Sequence, residues 1–177
     1  GMGIVVNGRL YTGQSGIAAE FGHMMVEPGG RLCRCGKKGC VEAYVSNFSI
    51  IDAAEEYLKK EKSGLHFDDV VMAARNGRKE IIDIFRTGGE ILGKGISGLI
   101  QILGPKRIIF SGRGVKAGDL MFEPMMTQIE QHTQKQFLAA VDFLYQEFKD
   151  TDWARGAASL ALQELYRSPL DKIHPKI

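Results

Sequence analysis

The chain has 177 residues, 44% of them hydrophobic and 25% charged, a composition typical of globular proteins and far from that of disordered or fibrous chains. Its 23 basic and 21 acidic side chains give a formal charge of +2, which is too even a balance to indicate a nucleic-acid groove or an anionic membrane surface. Glu90 and Lys94 interrupt the most apolar long segment, so no stretch approaches the roughly 18 apolar residues of a membrane-spanning helix.

The N-terminal residues carry no export signal. Gly1-Met2-Gly3-Ile4 lacks the basic start, the apolar middle and the small-residue cleavage site of a secretory signal. We therefore expect a cytoplasmic location and no membrane partner. A chain of this length forms one ordinary domain with a sizeable core, or at most two small ones.

Two short apolar runs flank Asn7-Gly8 near the start of the chain. This dipeptide suits the positive φ angles of a tight turn, so the sequence predicts a β-hairpin over residues 3–13. Residues 14–39 are rich in glycine and have no hydrophobic period. They predict a long loop that is ordered by something other than a core, and a metal ion is one candidate.

Helical spacing of apolar residues predicts a helix over residues 49–62, with Ser46 or Asn47 as its N-cap. Asp68 or Asp69 is expected to cap a second, shorter helix that ends at an Asn-Gly pair.

A longer helix is predicted over residues 79–103 and should be largely buried. It contains five glycines, and each would cost roughly 1 kcal/mol relative to alanine if it were exposed. The helix must therefore gain from close contact with a neighbouring element or break near Gly88-Gly89. Close packing is the favoured interpretation.

After Gly104-Pro105 the pattern alternates between strand and helix. It predicts a buried strand over 107–110 that ends at a glycine turn over 111–114, a helix over 118–134, a β-like stretch over 138–145 and a final helix over 153–167. No repeat or convincing linker interrupts the chain. We predict a single α/β domain over residues 1–177 with a polar tail over 169–177.

Three cysteines and one histidine lie within 18 residues: His23, Cys33, Cys35 and Cys40. An odd number of crowded cysteines cannot form a disulfide framework without leaving one thiol over, whereas this set suits tetrahedral zinc. Because the four groups fill every position, the ion should be structural rather than catalytic. The alternative is three reduced surface cysteines beside an unrelated histidine, and the density of the cluster disfavours it.

The basic residues around this cluster have a local explanation. Zn²⁺ with three thiolates carries a net charge of −1, and the neighbouring positive side chains offset it: Arg31, Arg34, Lys37 and Lys38. A nucleic-acid partner is not needed to account for them.

These residues also form a fixed-spacing motif. Gly3-Ile4, Gly13, Ala19-Glu20-Phe21-Gly22-His23 and the run from Cys33 to Glu42 closely resemble the ROK family of sugar kinases and sugar-responsive transcriptional repressors. The order of the later elements, to about Pro169, also looks like the C-terminal half of a ROK protein. The resemblance implies the C-terminal lobe of an actin-like ATPase (ribonuclease H-like) α/β fold with a zinc-binding loop.

The resemblance also implies which residues bind sugar. In the ROK family the glutamate and histidine of a Glu-x-Gly-His motif, and the glutamate two residues after the last zinc cysteine, bind sugar hydroxyls. Those positions are Glu20, His23 and Glu42. Carboxylates accept hydrogen bonds from vicinal hydroxyls, and a zinc-bound imidazole can offer its other nitrogen to a sugar oxygen. Zinc would then hold the binding loop, residues 14–42, in shape.

Other parts of the family pattern are not found in this sequence. The phosphate-binding Asp-x-Gly-Gly-Thr loop and the catalytic aspartate belong to an N-terminal lobe, so we predict no catalytic residue and no sugar phosphorylation by this chain alone. Gly1-x-Gly3-Ile4 aligns with the end of a glycine-rich phosphate signature, so the chain either begins inside that motif or carries a glycine before a genuine Met2.

The turn at Gly112 and Gly114 corresponds to the one that approaches the adenosine of ATP in the kinases. Arg113 departs from the smaller residues usual there, so a purely structural strand-to-helix turn is the alternative.

The resemblance is compatible with two functions. The first is the sugar-sensing lobe of a ROK transcriptional regulator, in which DNA would be read by a helix-turn-helix that this chain lacks. The second is the C-terminal half of an ATP-dependent hexokinase or N-acetylhexosamine kinase, which would add ATP and Mg²⁺. A third possibility is a folding unit without sugar affinity. Family resemblance also implies a homo-oligomer, commonly a dimer or tetramer.

Overall fold

The computed structural model describes residues 1–58 and 64–166. Helices and strands are mixed along this part of the chain, so the predicted α/β class is confirmed. The elements are β1 (Val5–Val6), β2 (Arg9–Leu10), α1 (Glu42–Val45), α2 (Asn47–Leu58), α3 (Phe67–Arg75), α4 (Lys79–Leu103), β3 (Arg107–Ser111), α5 (Asp119–His132), α6 (Lys135–Leu138), β4 (Asp142–Gln146) and α7 (Thr151–Leu165). Among these described helices, none combines the length and hydrophobicity that a membrane span requires.

The strands β1 and β2 form the predicted antiparallel hairpin, in which Val5 pairs with Leu10. The turn between them places Asn7 at φ 52° and Gly8 at φ 75°. Both angles lie in the left-handed region, which asparagine and glycine tolerate better than other residues. The prediction from the Asn-Gly dipeptide is therefore confirmed.

Helix α4 lies at the centre of the fold and has the predicted bounds, Lys79–Leu103. Its buried face includes Ile81, Phe85 and Ile100, each at most 2% exposed. Gly104 ends the helix in the left-handed region at φ 51°, and its N–H donates to the carbonyl of Ile100 at 2.9 Å. A glycine in this conformation is the usual way to close a helix.

Glycines let α4 approach its neighbours closely. A Cβ added at Gly93 would lie 2.7 Å from Cβ of Gln128, and one at Gly89 would lie 2.8 Å from Cγ of Pro124, both on α5. A Cβ at Gly88 would lie 3.1 Å from a backbone carbonyl oxygen of α1. The helix is unbroken, and the predicted close packing explains its glycines except Gly98, where an added Cβ would meet nothing within 4 Å.

Helix α2 begins slightly earlier than predicted. It starts at Asn47 rather than Ser49, and Oγ of Ser46 accepts a hydrogen bond from the N–H of Ser49 at 3.3 Å, as expected of an N-cap. Residues 42–45 form α1, a single helical turn that the sequence did not predict. The predicted end of the helix near Lys62 lies outside the described residues.

The predicted N-cap of α3 is wrong. His66 precedes the helix, while Asp68 and Asp69 lie in its first turn. The carboxylate of Asp69 accepts a hydrogen bond from the N–H of His66 at 3.0 Å, and both acids favour the positive end of the helix dipole. The predicted end is confirmed, because Asn76 caps the helix and Gly77 follows at φ 84°.

The strands β3 and β4 pair in parallel, with Ile109 opposite Leu144. The strand predicted over 107–110 is confirmed, but the prediction that it is buried is wrong, because only one of its faces is covered by the described residues. Phe110 packs against Phe122 of α5 with their ring centroids 5.4 Å apart, whereas Ile109 on the other face is 55% exposed. Alternating side chains of a strand point to opposite faces, so burial on one face says nothing about the other.

Four further predictions concern the C-terminal third. The β-like stretch over 138–145 is divided between the end of α6 and the start of β4, and α5 lies within the helix predicted over 118–134. Helix α7 begins two residues before the predicted Trp153. The predicted end at Arg167 and the polar tail over 169–177 lie outside the described residues.

Candidate metal centre

The segment between β2 and α1 has little regular structure, as predicted for residues 14–39. Backbone hydrogen bonds fold it back on itself. The N–H of Val41 donates to the carbonyl of Met24 at 3.0 Å, and the N–H of Gly39 donates to the carbonyl of Arg31 at 2.9 Å. These contacts bring the histidine near the start of the loop to the cysteines near its end.

A tight turn presents two of the cysteines. The N–H of Cys33 donates to the carbonyl of Lys37 at 2.8 Å, and the N–H of Gly36 donates back to the carbonyl of Cys33 at 2.9 Å. Gly36 has φ 85°, a conformation that strains any residue with a side chain. The turn therefore orients Cys33 and Cys35 toward Cys40, which lies two residues before the start of α1.

The 3-10 helix Phe21–His23 carries the histidine and rests on α4. A Cβ at Gly95 would lie 2.9 Å from Cζ of Phe21 and 3.1 Å from Cε of Met24. This glycine of α4 thus makes room for the segment that holds His23, which links the packing of the central helix to the geometry of the site.

The four predicted ligands meet at one point. The sulfurs of Cys33, Cys35 and Cys40 and a ring nitrogen of His23 all lie within 4.8 Å of one another. Cys35 Sγ and Cys40 Sγ are 3.7 Å apart, and Cys33 Sγ is 3.7 Å from Nδ1 of His23.

These separations fit ligands of one ion. Two sulfurs held at about 2.3 Å from a tetrahedral zinc ion lie about 3.8 Å apart, whereas bonded sulfurs lie about 2.05 Å apart. All three cysteines are free thiols. The cluster can therefore hold a metal ion, and its soft donor set fits zinc.

Burial determines how the free thiols titrate. Burial raises the pKa of Cys33 to about 11 and also raises the pKa of Cys40. The backbone N–H of Lys37, which bonds to the sulfur, lowers the pKa of Cys35. Because metal ligands must be thiolates, binding of a metal ion would displace protons from the cysteines.

Two carboxylates flank the imidazole of the cluster. Oε2 of Glu42 lies 3.5 Å from Nδ1 of His23 and 3.5 Å from Sγ of Cys33. Oε2 of Glu20 lies 4.0 Å from Nε2 on the opposite edge of the ring. The Glu20 side chain is 69% exposed and that of Glu42 is 29% exposed. The structure thus brings together all three residues that the resemblance assigns to sugar.

The glycine turn after β3 lies beside the start of α2. Gly112 has φ 98°, and the next residues form a 3-10 helix, Arg113–Ala117. A Cβ at Gly114 would lie 3.9 Å from Oδ1 of Asn47, the first residue of α2. Asn47 follows α1, the helical turn that carries Glu42, with one residue between them. The side chain of Arg113, at the centre of the turn, is exposed. This is the residue that departs from the kinase pattern.

Tyr44 is a residue of the site that the sequence analysis missed. It is 6% exposed, and its hydroxyl accepts a hydrogen bond from the N–H of Arg31 at 2.8 Å. A Cβ at Gly30 would collide with this hydroxyl. Tyr44 therefore ties the cysteine loop to α1. The available signal in the sequence is an aromatic residue two positions after Glu42.

Two of the basic residues near the cysteines stack on aromatic rings. The guanidinium of Arg34 lies 3.5 Å from the ring centroid of Phe48, and that of Arg31 lies 5.0 Å from the ring centroid of Tyr44. Such cation–π contacts attract the loop to α1 and α2. The positive charges around the cluster thus also help to position it.

Known proteins resemble this chain in sequence and in fold. The sequence matches the model of the ROK family over residues 1–164. It is 29% identical to a glucokinase of Thermotoga maritima over 176 residues, covering 93% of this chain and 56% of the glucokinase. It is 31% identical over 143 residues to the DNA-binding transcriptional dual regulator NagC of Escherichia coli, covering 77% of this chain and 35% of the regulator.

A solved structure gives the same result. The ROK family glucokinase from Streptomyces griseus, in complex with glucose and AMPPNP, aligns with a TM-score of 0.74 at 27% identity, covering 91% of this chain and 56% of the glucokinase. Structural neighbours of this kind have the actin-like ATPase fold, so the fold class implied by the resemblance is confirmed. The chain spans about half or less of the length of each of these proteins.

Proposed function

The chain belongs to the ROK family, and on that basis we propose that it is the sugar-binding, zinc-containing lobe of a transcriptional regulator that senses a hexose or related sugar. Its relatives include glucokinases and sugar repressors. A sugar-related role is common to both branches, and the regulator role is the finer proposal.

The observation that carries the sugar site is the position of His23. Its Nδ1 faces Sγ of Cys33 at 3.7 Å, while its Nε2 faces Glu20 at 4.0 Å. One imidazole therefore joins the cysteine cluster to an exposed carboxylate. With Nδ1 turned to the metal, Nε2 carries the proton and donates to a sugar oxygen, while Glu20 accepts from a hydroxyl.

Zinc is the ion that we assign to the cluster, held by His23, Cys33, Cys35 and Cys40. When bound, it supplies a structural cross-link, because four protein ligands leave no position for a reactive water. The residues of the chain position the metal ligands. The tight turn orients two thiolates, and Tyr44 and the stacked arginines hold the loop against α1 and α2.

Glu42 has a position between the metal ligands and the proposed pocket. A protonated Cys33 donates to its carboxylate at 3.5 Å. Once Cys33 is a thiolate ligand, it has no proton to donate and that hydrogen bond is lost. The carboxylate of Glu42 is then available to accept a sugar hydroxyl, so the loaded cluster prepares the site.

Residues 1–177 would form the C-terminal lobe, with the opposite wall of the sugar cleft supplied by a second lobe. DNA would be read by a helix-turn-helix outside this chain. We also propose that the protein is cytoplasmic and forms a homo-oligomer.

The alternative is the C-terminal half of an ATP-dependent sugar kinase. The observation in its favour is the turn at Gly112 and Gly114, which lies beside the first residue of α2 and would approach a nucleotide bound with Mg²⁺ in the other lobe. The exposed Arg113 at that turn favours the regulator, since a bulky cation replaces the small residues of the kinases.

Calorimetry of the zinc-loaded chain with glucose, N-acetylglucosamine and xylose tests the sugar site. We expect saturable binding of at least one of these sugars, and a loss of about tenfold or more in affinity for Glu20→Gln, because a carboxylate acceptor is replaced. Glu123→Gln removes the same charge from an exposed position on α5 and should bind sugar as well as the parent chain. Elemental analysis should find close to one zinc per chain in all three proteins.

Absence of saturation by all three sugars would refute sugar binding by this lobe. A folded chain without metal would refute the zinc assignment. Firm binding of ATP by the complete parent protein would favour the kinase over the regulator.

A further inference from the structure

The three cysteines of the metal cluster differ in their exposure to solvent. Cys33 is 4% exposed and Cys40 is 1% exposed, whereas Cys35, in the tight turn, is exposed. A dissolved oxidant can therefore reach the sulfur of Cys35 more readily than the other two sulfurs. Oxidation of cysteine follows thiolate character and solvent access, and a cysteine that ligates zinc is a thiolate.

A second sulfur lies close to this exposed one. Sγ of Cys40 is 3.7 Å from Sγ of Cys35. Bonded sulfurs lie about 2.05 Å apart, so the pair must approach by about 1.7 Å, a change that rotation about a Cα–Cβ bond can supply. Cys33 is a less suitable partner, because its sulfur contacts Nδ1 of His23 at 3.7 Å and the carboxylate of Glu42 at 3.5 Å.

The backbone between the two cysteines already turns back on itself. Gly36 and Gly39 lie between them and have φ angles of 85° and 79°. The surrounding chain fixes the position of Cys40, because its backbone pairs with Met25 and a Cβ at Gly39 would collide with the carbonyl of Glu27. The exposed turn, rather than Cys40, is therefore the part that must move when a bond forms.

We propose that Cys35 is a peroxide-sensitive site, at which oxidation forms a disulfide with Cys40, releases the metal ion and lowers the affinity of the lobe for sugar. This inference rests on the proposed function, which assigns zinc to the cluster and a sugar contact to Glu42.

Hydrogen peroxide supplies the oxidising equivalents. The thiolate of Cys35 attacks one peroxide oxygen, the O–O bond breaks, and Cys35 becomes a sulfenic acid as hydroxide leaves. The thiolate of Cys40 then attacks the sulfur of Cys35, and the S–O bond breaks as a second hydroxide leaves. Two thiolates are oxidised to one disulfide, one peroxide is reduced, and the two hydroxides take up protons to become water.

The disulfide removes two of the four metal ligands. Its sulfurs carry no negative charge, and His23 with Cys33 supplies only half of a tetrahedral set. After the ion has left, Cys33 takes a proton from solvent and its thiol donates to the carboxylate of Glu42, as it does at 3.5 Å in this structure. That acceptor is then no longer available to a sugar hydroxyl, so oxidation of the turn weakens the sugar site.

The zinc-loaded chain is treated with hydrogen peroxide in the absence of sugar. A colorimetric indicator follows the release of zinc, and mass spectrometry of a digest prepared without reductant identifies the linked cysteines. We expect one zinc to be released for each disulfide formed between Cys35 and Cys40. Treatment with dithiothreitol followed by zinc should restore the loaded cluster.

Two variants separate this site from other oxidisable sulfurs. Cys35→His keeps a zinc ligand at an exposed position but cannot form the disulfide, so zinc should be released about tenfold or more slowly than from the parent chain. Met25→Leu removes a sulfur of the same loop whose side chain is 62% exposed, and it should lose zinc at the parent rate. If Cys35→His does not hold zinc, the linked pair identified in the parent chain decides the result.

Calorimetry measures the effect on sugar binding, using whichever of glucose, N-acetylglucosamine and xylose binds the parent chain. The affinity should fall about tenfold or more after oxidation and should return after reduction and reloading with zinc. Met25→Leu should show the same loss and the same recovery.

Four outcomes would overturn the proposal: zinc retained after Cys35 has reacted, zinc released without a disulfide, a disulfide that includes Cys33 or joins two chains, or unchanged sugar affinity in the oxidised chain. Elemental analysis before peroxide is added shows whether the zinc assignment itself fails. If the parent chain binds no sugar, the proposed function fails, whereas the zinc and disulfide measurements still test the chemistry of Cys35.

Discussion

Replacing Gly93 with alanine tests whether the α4–α5 contact depends on the missing side chain. The new methyl group would lie 2.7 Å from Cβ of Gln128, and it would also collide with the backbone of Met125. Real Cβ atoms essentially never come within 3.0 Å of a heavy atom on a neighbouring element, so α5 must move away from α4. Because backbone atoms must move, we expect the cost at the upper end of the usual range for overpacking, about 3 kcal/mol.

The helix itself gains from the substitution. Alanine stabilises a helix interior by about 1 kcal/mol relative to glycine. Subtracting this gain from the packing cost leaves an expected net loss of about 2 kcal/mol in the free energy of unfolding. With a typical urea dependence of about 2 kcal/mol per molar, the midpoint should fall by about 1 M.

Gly98→Ala is the matched control on the same helix. No atom lies within 4 Å of the added Cβ, so only the helix gain remains and the midpoint should rise. Both variants are unfolded in urea in the zinc-loaded state and followed by circular dichroism. If Gly93→Ala were as stable as Gly98→Ala, the close-packing explanation for the glycines of α4 would be refuted.

Three further predictions follow from the loop and the surface. Chelation of the metal should speed hydrogen exchange, measured by mass spectrometry, over residues 23–41 before it does so in α4, because the cross-link orders the loop; simultaneous exchange would contradict this. Tyr44→Phe removes the acceptor for the N–H of Arg31 and should lower the free energy of unfolding by about 1–3 kcal/mol in urea titrations; an unchanged midpoint would show that water replaces the hydroxyl. The hydrogen bond from Arg75 lowers the pKa of Asp119, so the pair stabilises the fold above the unfolded pKa of aspartate, about 4, and this contribution is lost as the pH falls through the lower folded pKa. The urea midpoint of Asp119→Asn should therefore decline less than that of the parent chain between neutral and acidic pH, and parallel profiles would contradict the pairing.

Local patterns predicted much of the fold. The Asn-Gly hairpin and the bounds of α4 depend on nearby residues and were predicted correctly. The first turn at residues 42–45 was missed because four residues carry too little periodicity to distinguish a helical turn from a loop. The N-cap of α3 was misplaced for a related reason: an aspartate favours both the N-cap and the first helical turn, so its identity does not choose between them.

The candidate site was also predicted only in part. The metal-ligating residues could be predicted from the sequence, since the spacing of cysteine and histidine limits which ions a short loop can bind. The contacts of Glu42 with Cys33 and with His23 could not be predicted, because they arise only when the loop folds back onto α1. Tyr44 was missed for the same reason, as its hydrogen bond crosses the loop to Arg31.

By itself, the sequence determined which atoms a metal could bind and which segment forms the central helix, because spacing and period act over a few residues. The tertiary structure alone decided which glycines of α4 face another backbone, which face of β3 is covered and which imidazole nitrogen faces the cysteines. Those outcomes depend on how segments far apart in the chain approach one another, and close packing between them has no counterpart in local sequence.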